Sequence, residues 1–200
     1  MVTIREAIDY VAIRARRKIV SAVYTVYFSI FDESRPVNES AQRDALSDVD
    51  SVLFLCHGNV CRSPFAERYM VTTLEERGID GIDVDSAGMS TTQGRSSPET
   101  AIEVADGFGV DLRDHGAIET TMGAIEAADV VFVMDANNYE DVRRAFPDQR
   151  HKTFFLAATE SNSGVTIDDP YEGEEDTFRS VYGRIADAID RVVDELDQQR

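Results

Sequence analysis

Hydrophobic and polar positions change rhythm near residue 51. Before it, Ile4, Ile8, Val11, Ala15, Ile19, Ala22, Val26 and Ile30 recur at three- and four-residue steps. That apolar stripe predicts one long amphipathic helix over 4–31. Thr3 and Glu6 fit a Thr-x-x-Glu capping box at its start. Residues 19–31 are mostly apolar, a run shorter than the ~20 residues needed to span a bilayer. Residues 32–50 are polar and acidic with one proline, and read as a linker with a short helix around 41–46.

From residue 51 apolar runs alternate with amphipathic stretches. SVLFLC at 51–56 predicts a buried strand, followed by a helix over 64–77 with Pro64 in its first turn and Gly78 past its end. A second strand is predicted at 82–86 and a helix at 98–108. DVVFVMD at 129–135 is the clearest third strand, and KTFFLA at 152–157 a fourth, with a helix over 138–146 between them. The last helix, 177–196, carries Phe178, Val181, Ile185, Ile189 and Val192 on one face. Strands separated by helices predict an α/β domain, a four-stranded parallel sheet with helices on both faces. The organisation expected is an N-terminal helix (1–31), an acidic linker (32–50) and one domain (51–200).

Composition narrows what such a domain does. At 200 residues and 42% apolar content the chain supports one full domain with a real core, which excludes wholesale disorder. A net charge of −18 makes non-specific nucleic-acid binding a poor reading, since that needs a basic face. Lysine occurs only at Lys18 and Lys152. An acidic, lysine-poor surface suits molar salt, where the Debye length falls to about 3 Å; an ordinary acidic cytosolic protein is the plainer reading. The charge is uneven. Residues 1–31 hold Arg5, Arg14, Arg16, Arg17 and Lys18 against Glu6 and Asp9. This basic segment reads as an addition with its own job. It docks on its own domain, on a partner or a second copy, or it lies on a membrane surface. Arg16-Arg17 faintly resembles an export signal, but no small-residue cleavage site follows.

The chemistry concentrates between the first strand and its helix, in Cys56-His57-Gly58-Asn59-Val60-Cys61-Arg62-Ser63-Pro64. The carboxyl end of a strand is where an α/β sheet binds ligands. Backbone N–H groups and a helix N-terminus there cradle an anion, and Gly58 eases the backbone turn. A thiol at the head of such a cradle gains twice: the positive field favours thiolate, and the sulfur sits beside any bound phosphate. Arg62 can fork two N–H groups onto phosphate oxygens. Ser63 can donate to the thiolate. The combination suits phosphoryl transfer through a cysteine. Two cysteines exclude a disulfide framework and a four-cysteine zinc site. A zinc site through Cys56, His57 and Cys61 would need a fourth ligand from His115, His151 or a carboxylate.

C-H-G-N-V-C-R-S-P-F-A-E (56–67) resembles the signature of the low-molecular-weight protein tyrosine phosphatases. S-A-G (86–88), D-H (114–115), V-F-V-M-D (131–135) and I-D-D-P-Y (167–171) resemble its later motifs in the right order, so the resemblance covers residues 51–200. It implies a flavodoxin-like fold and hydrolysis of phosphotyrosine in proteins through a phosphocysteine, in the cytoplasm, with no metal and no cofactor. Cys56 is then the nucleophile and Arg62 the phosphate ligand. Asp169, which directly precedes Pro170, is the general acid rather than Asp168. The phosphate-binding loop comprises His57, Gly58, Asn59, Val60, Cys61, Arg62 and Ser63, supported by Asn59, Ser63, Ser86 and His115. Cys61 is the family's second loop cysteine, able to trap oxidised Cys56 as a disulfide.

Substrate choice rests on His57, Val60 and Tyr171 as pocket residues. Similar arginine phosphatases usually carry threonine where Val60 stands, so Val60 favours phosphotyrosine. The chain departs from the pattern in three places. Met89, Ser90, Thr91 and Thr92 bring no aromatic after S-A-G, Glu172 follows Tyr171, and Ile118 stands where an arginine is frequent. Three alternatives share the scaffold: a phosphoarginine phosphatase, a thiol-coupled arsenate reductase, and a phosphate-binding pseudo-enzyme. The reductase needs further cysteines, and none follows Cys61.

Overall fold

Four parallel strands organise the chain: β1 (Ser51–Cys56), β2 (Asp83–Gly88), β3 (Val130–Val133) and β4 (Thr153–Phe155), side by side in the order β2-β1-β3-β4. This is a flavodoxin-like order. The computed structural model describes residues 39–159 and 165–199. The helix expected over 4–31 lies outside the described residues, as do the first residues of the expected linker.

The helices are α1 (Glu39–Leu46), α2 (Arg62–Arg77), α3 (Glu99–Asp106), α4 (Met122–Ala127), α5 (Ala136–Ala145) and α6 (Glu175–Gln198). Both faces of the sheet are covered, as its sequence requires. In a strand successive side chains point to opposite faces. Val52, Phe54, Val130 and Phe132 join one apolar cluster with residues of α2, α3 and α6. Leu53, Leu55, Val131 and Val133 point the other way and are equally buried, where α4 meets β1 and α5 meets β3 and β4. Tyr139 of α5 stacks on Phe155 of β4 at 5.4 Å.

Among the described residues the closest ring stacking lies between α2 and α6. Phe65 and Tyr182 stack with ring centroids 3.9 Å apart and an interplanar angle of 5°. Phe108 meets both rings edge-on, at 5.5 and 6.3 Å. The Tyr182 hydroxyl donates to the Cys61 carbonyl at 3.3 Å, so this cluster also ties α6 to the loop that follows β1. Gly78 ends α2 in the left-handed conformation, φ 67°, where its N–H and that of Ile79 close the last turn.

Three details differ from the sequence pattern. The segment read as an acidic linker is docked from α1 onward. Leu46 and Val49 are buried in the core, Arg43 pairs with Glu195 of α6 at 3.2 Å, and the amide of Gln199 donates to the Arg43 carbonyl. Two isolated apolar side chains were enough, because the end of α6 offered a surface to cover. The fourth strand is shorter than predicted: Leu156 and Ala157 belong to a 3-10 turn after β4. The short helix α4 was not predicted; Thr121 caps it by accepting from the Ala124 N–H at 3.1 Å, and it buries Ile125.

Leu46→Ala is expected to lower the free energy of unfolding by about 2–3 kcal/mol. Urea denaturation measures it, and an unchanged midpoint would return residues 39–50 to a linker.

Candidate active site

The strand order places a switch point between β1 and β3. From β1 the chain moves outward to β2 and then returns to the opposite side of β1 for β3. Connections therefore diverge at the carboxyl ends of β1 and β3 and leave a crevice between them. Cys56 is the last residue of β1, and Asp135 lies two residues beyond β3 as the N-cap of α5.

Residues 57–61 turn from β1 into α2. Asn59 holds a positive φ of 48°, the sole non-glycine case among the described residues. Asparagine tolerates this region better than most side chains, and here four hydrogen bonds enforce it. Its Nδ2 donates to Ser63 Oγ at 2.9 Å and Ser86 Oγ at 2.8 Å, and its Oδ1 accepts from Ile118 N at 2.8 Å. His115 Nε2 lies 2.7 Å from the Asn59 carbonyl. A carbonyl only accepts, so Nε2 carries the proton. Asn59, Ser63, Ser86 and His115, proposed from sequence as loop support, are thus brought into one hydrogen-bonded group.

The network is aimed at sulfur. Cys56 Sγ receives the Asn59 backbone N–H at 3.2 Å and lies 3.1 Å from Ser63 Oγ. Because Asn59 Nδ2 already donates to Ser63 Oγ, the hydroxyl proton is free to point to the sulfur. The alternative acceptor, the Ala87 carbonyl, is farther at 3.4 Å. Behind Ser86 stands Glu67, whose Oε2 accepts from Ser86 Oγ at 2.5 Å. Burial raises the Glu67 carboxyl above its ordinary pKa, opposed by the Ser86 hydrogen bond and by His115.

Gly88 makes this close assembly possible. A Cβ there would sit 3.0 Å from both Asn59 N and Gly58 C, closer than a side chain can approach without moving the loop.

Arg62 is 1% exposed. Its Nη1 donates to Asp135 Oδ2 at 2.7 Å and to the Ile167 carbonyl at 3.1 Å, and its Nη2 lies 3.0 Å from Asp169 Oδ2. Its Nε is buried and has no hydrogen-bond partner among the described residues. Burial alone pulls a guanidinium pKa down; Asp135 and Asp169 outweigh it, so Arg62 stays charged. Asp169 sits on an exposed turn, and its Oδ1 accepts from Tyr171 N at 3.4 Å. Asp168 beside it is exposed.

The remaining predicted site residues are placed as follows. Both cysteines are thiols, with no disulfide between them. Burial pushes the Cys61 thiol far above the ordinary range; Cys56 and Asp169 add to this, and Arg62 and Arg95 oppose it. Val60 was read as a pocket residue, but its side chain is buried with the apolar core. His57 is half-buried. Tyr171 is 46% exposed, with the Arg95 guanidinium over its ring. His115 is engaged with the loop, whereas His151 is exposed and bonds the Asp148 carbonyl at 2.8 Å; the two do not converge on Cys56. Sequence reasoning missed Asp135 and Glu67. The first closes the V-F-V-M-D run and the second ends the 56–67 motif, so both were visible as residues without a partner to define them.

Residues 51–200 match the family model described as low molecular weight phosphotyrosine protein phosphatase. The chain is 35% identical over 150 residues to a probable low molecular weight protein-tyrosine-phosphatase, AmsI, of Erwinia amylovora, covering 75% of this chain and 99% of that protein. The crystal structure of the Erwinia amylovora tyrosine phosphatase AmsI superposes with a TM-score of 0.67 at 34% identity, over 74% of this chain and 93% of that one. A protein-arginine-phosphatase of Geobacillus stearothermophilus is 28% identical over 149 residues, 74% of this chain and 97% of its own.

Two outcomes follow from the geometry. Asp135→Asn leaves Arg62 buried without its closest anion. It is expected to lower the free energy of unfolding by about 3 kcal/mol, read from urea melts; no loss would mean that Asp169 and the Ile167 carbonyl suffice. Glu67 gives a pH dependence. A carboxyl whose folded pKa is raised binds its proton more tightly when folded. Its contribution is favourable below the unfolded pKa and is lost as pH rises through the folded value. Glu67→Gln removes that loss, so the variant gains stability relative to wild type as pH rises above the ordinary glutamate range. Parallel stability–pH curves would contradict the assignment.

Proposed function

This chain belongs to the low molecular weight phosphotyrosine protein phosphatase family, and we propose that Cys56, Arg62 and Asp169 carry its reaction. The family's activity is hydrolysis of protein phosphotyrosine. In the reading proposed here the Cys56 thiolate attacks phosphorus in line with the phenolic oxygen. The S–P bond forms as the P–O bond breaks, and Asp169 gives its proton to the departing phenolate. Water then attacks the phosphocysteine, Asp169 takes its proton, and phosphate leaves with the thiolate restored.

The observation that carries this reading is the position of Arg62 between the loop and Asp169. Its Nη2 lies against Asp169, its buried Nε has no partner among the described residues, and Asp135 holds the guanidinium through Nη1. A phosphate dianion competes with Asp169 for Nη2. Binding therefore frees the Asp169 carboxyl to meet the leaving-group oxygen. The loop N–H groups and the start of α2 supply the rest of the anion's ligands.

Phosphotyrosine is favoured over phosphoarginine by Tyr171, an aromatic surface beside Asp169. The thiol chemistry calls for a reducing compartment, and the cytoplasm is the setting proposed. The acidic, lysine-poor composition supports adaptation to molar salt. Among the described residues no helix is long and apolar enough to cross a membrane.

The test compares wild type, Cys56→Ser and Asp169→Asn on p-nitrophenyl phosphate, a phosphotyrosine peptide and a phosphoarginine peptide, in low and molar KCl. Wild type should favour the phosphotyrosine peptide and keep or gain activity in molar KCl, and Cys56→Ser should fall to background. Asp169→Asn should lose about a hundredfold or more on phosphotyrosine and less on p-nitrophenyl phosphate, whose phenolate leaves unaided. Equal losses on both substrates would remove Asp169 from the acid role. Preference for phosphoarginine would transfer the substrate to the rival class.

A further inference from the structure

Arg95 carries an exposed charge beside the mouth of the site, and no carboxylate lies within 4.0 Å of it among the described residues. Acids outnumber bases 38 to 20 in this chain. Two other exposed guanidiniums are answered locally, Arg113 by Asp106 and Asp111 and Arg179 by Glu175; Arg150, exposed beyond α5, has no such partner among the described residues. Arg95 instead lies over an aromatic ring, its Cζ 4.9 Å from the Tyr171 centroid, with Nη2 donating to the Tyr171 hydroxyl. A guanidinium has five N–H donors, and this contact engages one.

Its position is fixed by the backbone. Gly94 takes a φ of +77°, and its N–H donates to the Ala117 carbonyl at 2.7 Å. The Ala117 N–H returns the bond to the Arg95 carbonyl at 2.9 Å. Residues on either side of Ala117 are the ones that hold Asn59: His115 through its ring and Ile118 through its N–H. Arg95 therefore rides on the frame that sets the phosphate loop. Its charge stands at Tyr171, two residues from the Asp169 that touches Arg62. A substrate that places phosphotyrosine against Cys56 must carry its neighbouring residues past this point, each step along an extended chain being about 3.3 Å.

We propose that Arg95 is a specificity-determining residue that recognises an aspartate or glutamate flanking the phosphotyrosine of the substrate protein. The inference rests on the reading of Tyr171 as a wall of the phosphotyrosine site. Two features favour a carboxylate. The planar fork of arginine matches it with two parallel hydrogen bonds. A surface otherwise rich in acids repels an acidic peptide, so one unanswered cation at the mouth decides where such a peptide is accepted. Stacking on Tyr171 holds the fork in place before substrate arrives.

The experiment uses the full chain and synthetic phosphotyrosine peptides with glutamate, glutamine or lysine placed singly at each of the three positions on either side of the phosphotyrosine. kcat/KM is measured at 0.1 M KCl. Wild type should prefer glutamate over glutamine by about fivefold at one position at least, the scale of a solvent-exposed ion pair. The ratio should fall to about one in Arg95→Gln, survive in reduced form in Arg95→Lys, and invert toward lysine in Arg95→Glu. Each ratio is taken within one protein, so a partly inactive preparation does not alter it. The same ratios in wild type and Arg95→Gln, or no effect at any position, would overturn the proposal. A chain that hydrolyses p-nitrophenyl phosphate but none of the peptides loses the phosphotyrosine reading and this one together. A chain that hydrolyses all peptides alike loses this one alone.

Discussion

A guanidinium in the interior of a protein is stable only where its charge is matched and its N–H groups are bonded, because desolvating an ion costs several kcal/mol. Arg62 has its charge matched by residues from two distant parts of the chain: Asp135 after β3, and the segment that supplies the Ile167 carbonyl and Asp169. None of these is near Arg62 in sequence; Asp135 is 73 residues away. The ion pair therefore couples the end of β1 to the end of β3 at the one place where the parallel order leaves them open. It also engages Nη1 with Asp135 and the Ile167 carbonyl, while Nε is left without a partner among the described residues.

The loop beside it is held by a second, uncharged device. A left-handed Asn59 is a strained choice that survives only where the surroundings over-determine it. Donors and acceptors in this network have little freedom to exchange. Glu67 accepts from Ser86, which leaves the Ser86 oxygen to accept from Asn59. Asn59 also donates to Ser63, which leaves the Ser63 proton for the sulfur. A carboxylate 11 residues beyond Cys56 thus orients a hydroxyl at the Cys56 sulfur without touching it.

Much of this was legible because it is contiguous. β1 is an unbroken apolar run, Gly78 marks the end of α2, and the loop from Cys56 to Ser63 presents thiol, amide, guanidinium and hydroxyl within eight residues. The parts that escaped depend on partners brought in by the fold. Asp135 reads as the last residue of the third strand, whereas it caps α5 through Asn138 N; its other oxygen acquires a role only when β3 lies beside β1. Val60 reads as a side chain for substrate, yet the loop turns it into the core. Leu46 and Val49 are too few to signal docking, and only the end of α6 explains their burial. Arg95 is one arginine among many until its neighbours are known.

Charge is the remaining constraint, and it acts at two ranges. The chain carries −18, while its proposed ligand is a dianion. Wherever salt is molar, the long-range part of that repulsion is screened within about 3 Å and net charge does not decide whether phosphate binds. Contacts at hydrogen-bond distance do. Asp135 and Asp169 together more than cancel Arg62, so side chains alone leave the crevice without a positive excess. The deficit falls to the backbone: N–H groups of the loop and the first turn of α2, whose partial charges need no counterion and cannot be neutralised by pH or salt. This is why conformation at Asn59 and Gly88 matters as much as the identity of Arg62. A small rotation of the loop removes N–H donors from the anion, whereas the guanidinium, anchored from below by Asp135, would stay where it is.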